Sequence, residues 1–319
     1  MISESIFLGQ SVSSHTKSRW KQNGITVAGG NGQGSQLNEF RWPKNIFVDD
    51  DNQCFYVVDW GNDRILEWKF GAKNGKVVAG GNGRGNHPNQ LNQPMDVIVD
   101  QANDILIISD WGNRRVVQWP RRNGKAGQTI ISNVDCSRLA TDSNGDLYIS
   151  ESEKNRVKRW TIGDTSGTIV AGGNRRGDQL NQLDHPTYIF VDHKHSIYVS
   201  DNENHRVVKW IKDGEEGIIV AGGNGKGNDL TQISHPMGIV VDQMGIIYVV
   251  DSHNHRITCW TEESKEGFII AGGNGKGQRP DQLHSPVGLS FDRQGNLYVV
   301  DSDNGRIQKF DIDLEKNSA

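Results

Sequence analysis

Six acidic residues, each followed five positions later by an arginine, recur along the chain. The pairs are Asp59/Arg64, Asp110/Arg115, Glu151/Arg156, Asp201/Arg206, Asp251/Arg256 and Asp301/Arg306. Repeated carboxylates could be read as catalytic acids. A carboxylate and a guanidinium at fixed spacing also form a charge-assisted ion pair that braces a turn. Recurrence in every copy favours bracing. Histidines form a second candidate set. His185 and His235 each stand just before a proline, and His284 lies beside the corresponding position of the next copy. Neutral imidazoles brought together from neighbouring segments could hold zinc, and calcium is a second candidate metal. The competing reading is that His-Pro simply suits an extended turn. The phrase AGGNGxG resembles a phosphate-cradling loop, but in residues 222–227 no Ser or Thr follows the Lys, and a strand rather than a helix comes next. Both the P-loop and the dinucleotide contexts are missing.

The elements that must position these residues repeat with a period near 50. The acidic steps are separated by 51, 41, 50, 50 and 50 residues. A period of this size signals a solenoid, propeller or array. Within residues 220–260, four short apolar runs rich in Val, Ile, Tyr and Trp are bounded by Gly, Asn, Asp or Pro, which are strand and turn signals. No segment in the core of the repeat has a 3.6-residue apolar period. Each unit therefore reads as a four-stranded antiparallel sheet. Such a sheet cannot bury both apolar faces alone, and radial stacking solves this. The predicted fold is all-β, a six-bladed β-propeller. Residues 129–142 have lost the Gly-rich connection, so the third blade is short. Residues 25–30 read as an outer strand that completes the sixth blade and removes a free edge. The expected division is an N-terminal extension at 1–24, the propeller at 25–311 and a tail at 312–319.

The totals narrow the function classes. The 319 residues carry a formal net charge of −4, which gives no general reason to expect phosphate-backbone binding. Cys54, Cys136 and Cys259 are far apart, without disulfide-framework or zinc-ligand spacing. The N-terminus lacks a basic start followed by a long apolar run. No stretch approaches a membrane helix. The expectation is a monomeric protein without a membrane anchor, in the cytoplasm.

The phrase NHR at 204–206 and 254–256, set after YVSD or YVVD and before VVKW or ITCW, resembles the NHL repeat. So does HPMGIVVDQMGIIYVVD at 235–251. The resemblance covers about residues 25–310 and implies a six-bladed propeller. Similar domains occur in TRIM-NHL ubiquitin ligases, in sensor domains of bacterial receptor kinases and in a peptidyl-hydroxyglycine lyase. Fold alone does not transfer function. The chain shows no RING, B-box, coiled-coil or kinase segment behind a ligase or kinase role.

Residues that recur in all copies serve the fold, so function is sought where the blades differ. The series Trp68, Trp119, Trp160, Trp210, Trp260 and Phe310 is expected to pack between blades. Two positions past the proline, at the start of the innermost strand, the blades carry Asn45, Asp96, Arg138, Tyr188, Gly238 and Gly288. Before the proline stand Trp42, Gln93, Asp135, His185, His235 and Ser285, and hairpin tips add Trp60 and Trp111. This places Asn45, Asp96, Arg138, Tyr188, Trp42, Trp60 and Trp111 at a channel mouth as a ligand site. The favoured reading is a non-catalytic recognition propeller, without a cofactor, that binds a protein segment or small polar ligand. One alternative is a metal-dependent lyase or hydrolase, with zinc or calcium in or near the channel on His185, His235 and His284. Tyr188 and Arg138 would then be its acid–base and charge-stabilising groups. Another alternative is single-stranded RNA stacked on Trp60 and Trp111. The connecting loops carry Arg84, Arg175, Arg176, Lys226 and Lys276 beside Asp178, Asp229 and Asp281, a mixed rim rather than a basic stripe.

Overall fold

Short β-branched runs separated by tight turns become strands, and the ring follows from stacking them. The computed structural model describes residues 20–161 and 163–313. Blade one is β2 (Pro43–Asp49), β3 (Cys54–Asp59), β4 (Arg64–Lys69) and β5 (Lys76–Gly80). Blade two is β6 (Asp96–Asp100), β7 (Ile105–Asp110), β8 (Arg115–Pro120) and β9 (Gln128–Ser132). Blade three is β10 (Arg138–Thr141), β11 (Leu147–Glu151), β12 (Arg156–Trp160) and β13 (Thr168–Gly172). Blade four is β14 (Pro186–Val191), β15 (Ile197–Asp201), β16 (Arg206–Trp210) and β17 (Ile218–Gly222). Blade five is β18 (Pro236–Val241), β19 (Ile247–Asp251), β20 (Arg256–Trp260) and β21 (Phe268–Gly272). Blade six is β22 (Pro286–Phe291), β23 (Leu297–Asp301) and β24 (Arg306–Phe310), and its fourth strand is β1 (Ile25–Gly29). All pairings are antiparallel. No helix among the described residues is long and apolar enough to cross a membrane.

The second strands show why the blades stack. Every residue of β3, β11, β15, β19 and β23 is buried, so both faces of each sheet are covered. The clusters that cover them combine neighbouring blades. Tyr56 and Val58 of blade one pack with Leu106, Ile108 and Trp119 of blade two. Ile46 and Val57 pack with Tyr298 and Val300 across the closing seam. Trp68, Trp119, Trp160, Trp210, Trp260 and Phe310 are all buried between blades, as expected from their recurrence.

The acid–arginine pair is a staple. Asp59 Oδ1 accepts the Arg41 N–H at 2.7 Å, and Oδ2 accepts Arg64 Nε at 2.7 Å and Asn62 Nδ2 at 2.8 Å. The outer nitrogens of Arg64 donate to the carbonyls of Ser35, Gln36 and Glu39 in the Gly-rich loop. In five blades the staple thus ties the hairpin between second and third strands to the loop leading into its own blade. Five such loops are each anchored by a fully buried residue: Phe40, Leu91, Leu183, Ile233 or Leu283. Blade three lacks the loop. There Glu151 still pairs with Arg156 at 2.6 Å, and Lys154 joins it at 2.7 Å.

The chain ahead of β1 also packs. Trp20 is only 2% exposed, donates its indole N–H to the Gly295 carbonyl at 2.9 Å and meets Tyr248 edge-on. Residues 1–19 and 314–319, most of the expected extension and tail, lie outside the described residues.

Candidate functional site

The six inner strands begin on the face that carries the inter-blade loops and the staple hairpins. The residue before each strand-opening proline takes a left-handed conformation in five blades. The φ angles are +49° at Trp42, +50° at Gln93, +52° at His185, +51° at His235 and +47° at Ser285. Non-glycine residues rarely adopt this region, so each must be held. Trp42 is held by Gln33 of its own loop, whose side-chain oxygen accepts the Trp42 N–H at 2.8 Å, and the other four are held by a side chain 30 residues earlier, on the preceding hairpin tip. Asp63 accepts the Gln93 N–H, and Asn155 accepts the His185 N–H, both at 2.8 Å. His205 Nδ1 accepts the His235 N–H at 3.3 Å, and His255 Nδ1 accepts the Ser285 N–H at 3.2 Å. His205 and His255 are therefore blade-to-blade acceptors, consistent with the structural role read from their recurrence.

On blade one this geometry builds an exposed aromatic patch. Trp42 is 41% exposed and meets the half-buried Trp60 edge-on, with ring centroids 6.1 Å apart. The Arg41 guanidinium lies 5.2 Å from the Trp42 ring centre, and the Lys44 ammonium lies 5.5 Å from that of Trp60. Arg41 and Lys44 have no ion-pair partner among the described residues. Both were passed over in the sequence. The available signal was adjacency, because they flank the variable Trp42 and Asn45. Trp111 takes a different direction and donates its indole N–H to Asp135 at 3.2 Å. It bridges blades two and three.

The channel residues depart from expectation. Asn45, Asp96, Arg138 and Tyr188 were expected to face a ligand at an open mouth. Instead Asp96, Arg138 and Tyr188 are 2%, 2% and 6% exposed, and the four side chains bind in two pairs, Asn45 with Asp96 and Arg138 with Tyr188. Asp96 Oδ1 accepts Asn45 Nδ2 and, at 2.7 Å, the Val97 N–H, while Oδ2 accepts the Leu139 N–H at 2.8 Å. Arg138 donates to the Met95 carbonyl at 2.7 Å and the Tyr188 hydroxyl at 3.0 Å, with its guanidinium 4.1 Å from the Tyr188 ring centre. The Tyr188 hydroxyl donates to the Lys44 carbonyl on the opposite blade. The two glycines of this series explain the geometry. A Cβ at Gly288 would sit 2.6 Å from Asn45 Oδ1 and 3.2 Å from the Tyr188 hydroxyl. Blades one to four send side chains into space that blade six leaves empty. Burial raises the proton affinity of the Asp96 carboxyl, and Arg138 and the three donors oppose it. Burial pushes the Tyr188 hydroxyl up to about 12, which does not suit an acid–base role near neutrality.

The proposed metal histidines are likewise not brought together. His185 is exposed beside Asn155. His235 stacks on His253, with centroids 3.8 Å apart, and meets His205 at 4.6 Å. His284 pairs with Asp303 at 3.1 Å. Among the described residues no group of three or more His, Cys, Asp or Glu is arranged to hold a metal ion. The imidazole seams instead predict acid sensitivity. Burial, then His253 and His205, push His235 down to about 4. Burial also lowers His205 and His255, whose Nδ1 atoms must stay unprotonated to accept. An unfolded histidine titrates near 6.5, so the unfolded chain takes up protons first as pH falls. Stability is expected to be full above about pH 6.5 and to decline between there and about 4. Replacing both His205 and His255 by Asn, the acceptor already used at Asn155, should flatten that decline. Equal melting temperatures for the native protein at pH 7 and pH 5 would refute this account.

Comparison with known proteins agrees with this architecture. The NHL repeat family model matches residues 234–260 and 283–310. No curated protein matches the chain by sequence. Among solved structures, a protein of unknown function from Bacteroides thetaiotaomicron is similar at 18% identity and a TM-score of 0.73, over 92% of this chain and 76% of that one. An auxiliary nutrient binding protein from the same organism is similar at 17% identity and a TM-score of 0.71, over 92% and 77%. Virginiamycin B lyase from Staphylococcus aureus is similar at 12% identity and a TM-score of 0.54, over 92% and 99%. At such identities the likeness concerns the fold.

Proposed function

For a six-bladed propeller built of NHL repeats, which this chain is, we propose recognition without catalysis. The loop face of blade one binds a protein segment or a small polar ligand through Arg41, Trp42, Lys44 and Trp60. One observation carries this reading: an exposed and a half-buried indole meet, each accompanied by a cation that has no ion-pair partner among the described residues. Tryptophan and arginine dominate binding hot spots because they bury large area and keep a polar handle. The similar fold of proteins described as nutrient binding is compatible with this role.

The lyase or hydrolase alternative draws on the similar fold of virginiamycin B lyase. It lacks a grouped ligand set among the described residues, and Tyr188 and Arg138 are engaged with each other. RNA binding is disfavoured because Glu153, Glu203 and Asp303 stand exposed on hairpin tips of the same face.

The test is selection from a displayed library of short random peptides, followed by affinity measurement with the Trp60→Ala variant. Loss of a central hot-spot tryptophan costs about 2 kcal/mol or more, so binding of the selected peptides should weaken about thirtyfold. Peptides that bind native and variant protein equally would move the site elsewhere.

A further inference from the structure

The channel mouth holds one buried carboxylate beside the Arg138 guanidinium, and the Lys44 ammonium feels the charges of both Arg138 and Asp303. Asp96 is the acid, and its oxygens are taken by Asn45, Val97 and Leu139. Arg138 and Lys44 are the bases. The Tyr188 hydroxyl accepts from Arg138 and donates to the Lys44 backbone carbonyl, and the Arg138 charge reaches the Lys44 ammonium. Arg138 is 2% exposed, and its two terminal nitrogens are satisfied, yet its Nε has no acceptor among the described residues. Buried donors without partners are uncommon and costly. The Lys44 ammonium has Trp60 beneath it and, among the described residues, neither a hydrogen bond nor an ion pair. Asp303, the acid whose charge reaches Lys44, is engaged with His284.

We propose that this mouth takes a carboxylate, held by Lys44 Nζ and by the orphaned Arg138 Nε, with the body of the ligand lying on Trp60 and Trp42. The assignment rests on the recognition reading above and names its ligand class. It supplies an acceptor to the two donors that lack one among the described residues. Burial, then Arg138, pull the Lys44 amine down to about 8, with Asp303 opposing. An added anion would reverse that shift. A carboxylate could come from a peptide terminus or from a free small acid.

The experiment follows the Lys44 side-chain carbon by NMR in protein carrying isotope-labelled lysine, with Lys44→Met giving the assignment. The probes are acetate, indole-3-acetate, and a peptide selected as above in free-acid and amide forms. A bound carboxylate should raise the Lys44 midpoint toward the ordinary lysine range, and affinity should fall once pH exceeds that new midpoint. Lys44→Met should bind at least tenfold more weakly while melting as the native protein does. Preference for acetate and indole-3-acetate identifies a free acid, and preference for the free-acid peptide over its amide identifies a chain terminus. An unmoved Lys44 midpoint with every carboxylate, or undiminished binding by Lys44→Met, would overturn the proposal. A peptide that needs Trp60 but binds equally as acid and amide would remove the carboxylate and leave the recognition site standing. Acetate binding without any peptide binding would leave the carboxylate and remove the protein-segment reading.

Discussion

A chain lacking residues 1–30 should lose its cooperative melt or become insoluble. That cut removes β1, which pairs with β24 from Ile25 opposite Lys309 to Gly29 opposite Arg306. It also removes Trp20 and Ala28 from the clusters that seal blades five, six and one. The ring would open at a bare third strand whose backbone donors and acceptors have no partner, an edge prone to pairing with other chains. A milder variant keeps the prediction measurable if the truncated chain does not fold. Trp20→Ala leaves the strand in place but empties a buried aromatic site and strands the Gly295 carbonyl. Its expected cost is about 3–5 kcal/mol, read from denaturant unfolding. Native-like unfolding of both variants would mean that the ring does not depend on its N-terminal closure.

Asp96→Leu is expected to cost about 3–5 kcal/mol, because it leaves the Arg138 charge buried beside Lys44 with no counter-ion. It also removes the acceptor used by Asn45, Val97 and Leu139. The double variant Asp96→Leu with Arg138→Met should recover much of that loss, since both partners are then apolar. Additive losses would show that the pair does not act as a unit. Little loss from Asp96→Leu alone would show that Arg138 finds its counter-charge elsewhere. The sequence places these two side chains at an open mouth, free for a ligand. Their burial reverses that expectation.

Much of the fold was legible because a propeller writes its contacts at constant offsets. The acid–arginine spacing, the closing aromatics and the proline-opened strands recur at the blade period and report contacts within a blade or between neighbours. The same rule marked His205 and His255 as structural, although only the tertiary structure identifies their partners, 30 residues ahead. The candidate site was less legible. Asn45, Asp96, Arg138 and Tyr188 were correctly singled out as variable, but variation alone does not say which way a side chain turns. Arg41 and Lys44 matter because no carboxylate among the described residues lies within ion-pair distance of them, and a missing partner leaves no trace in sequence.

The sequence by itself determined the blade count, the strand order and the closure, because each depends on local pattern and nearest-neighbour packing. The tertiary structure alone decided what fills the channel. The bond from Tyr188 to the Lys44 carbonyl joins residues 144 apart on opposite blades. No repeat carries a signal for it, since a contact across the axis occurs once, and only ring closure brings those two strands face to face.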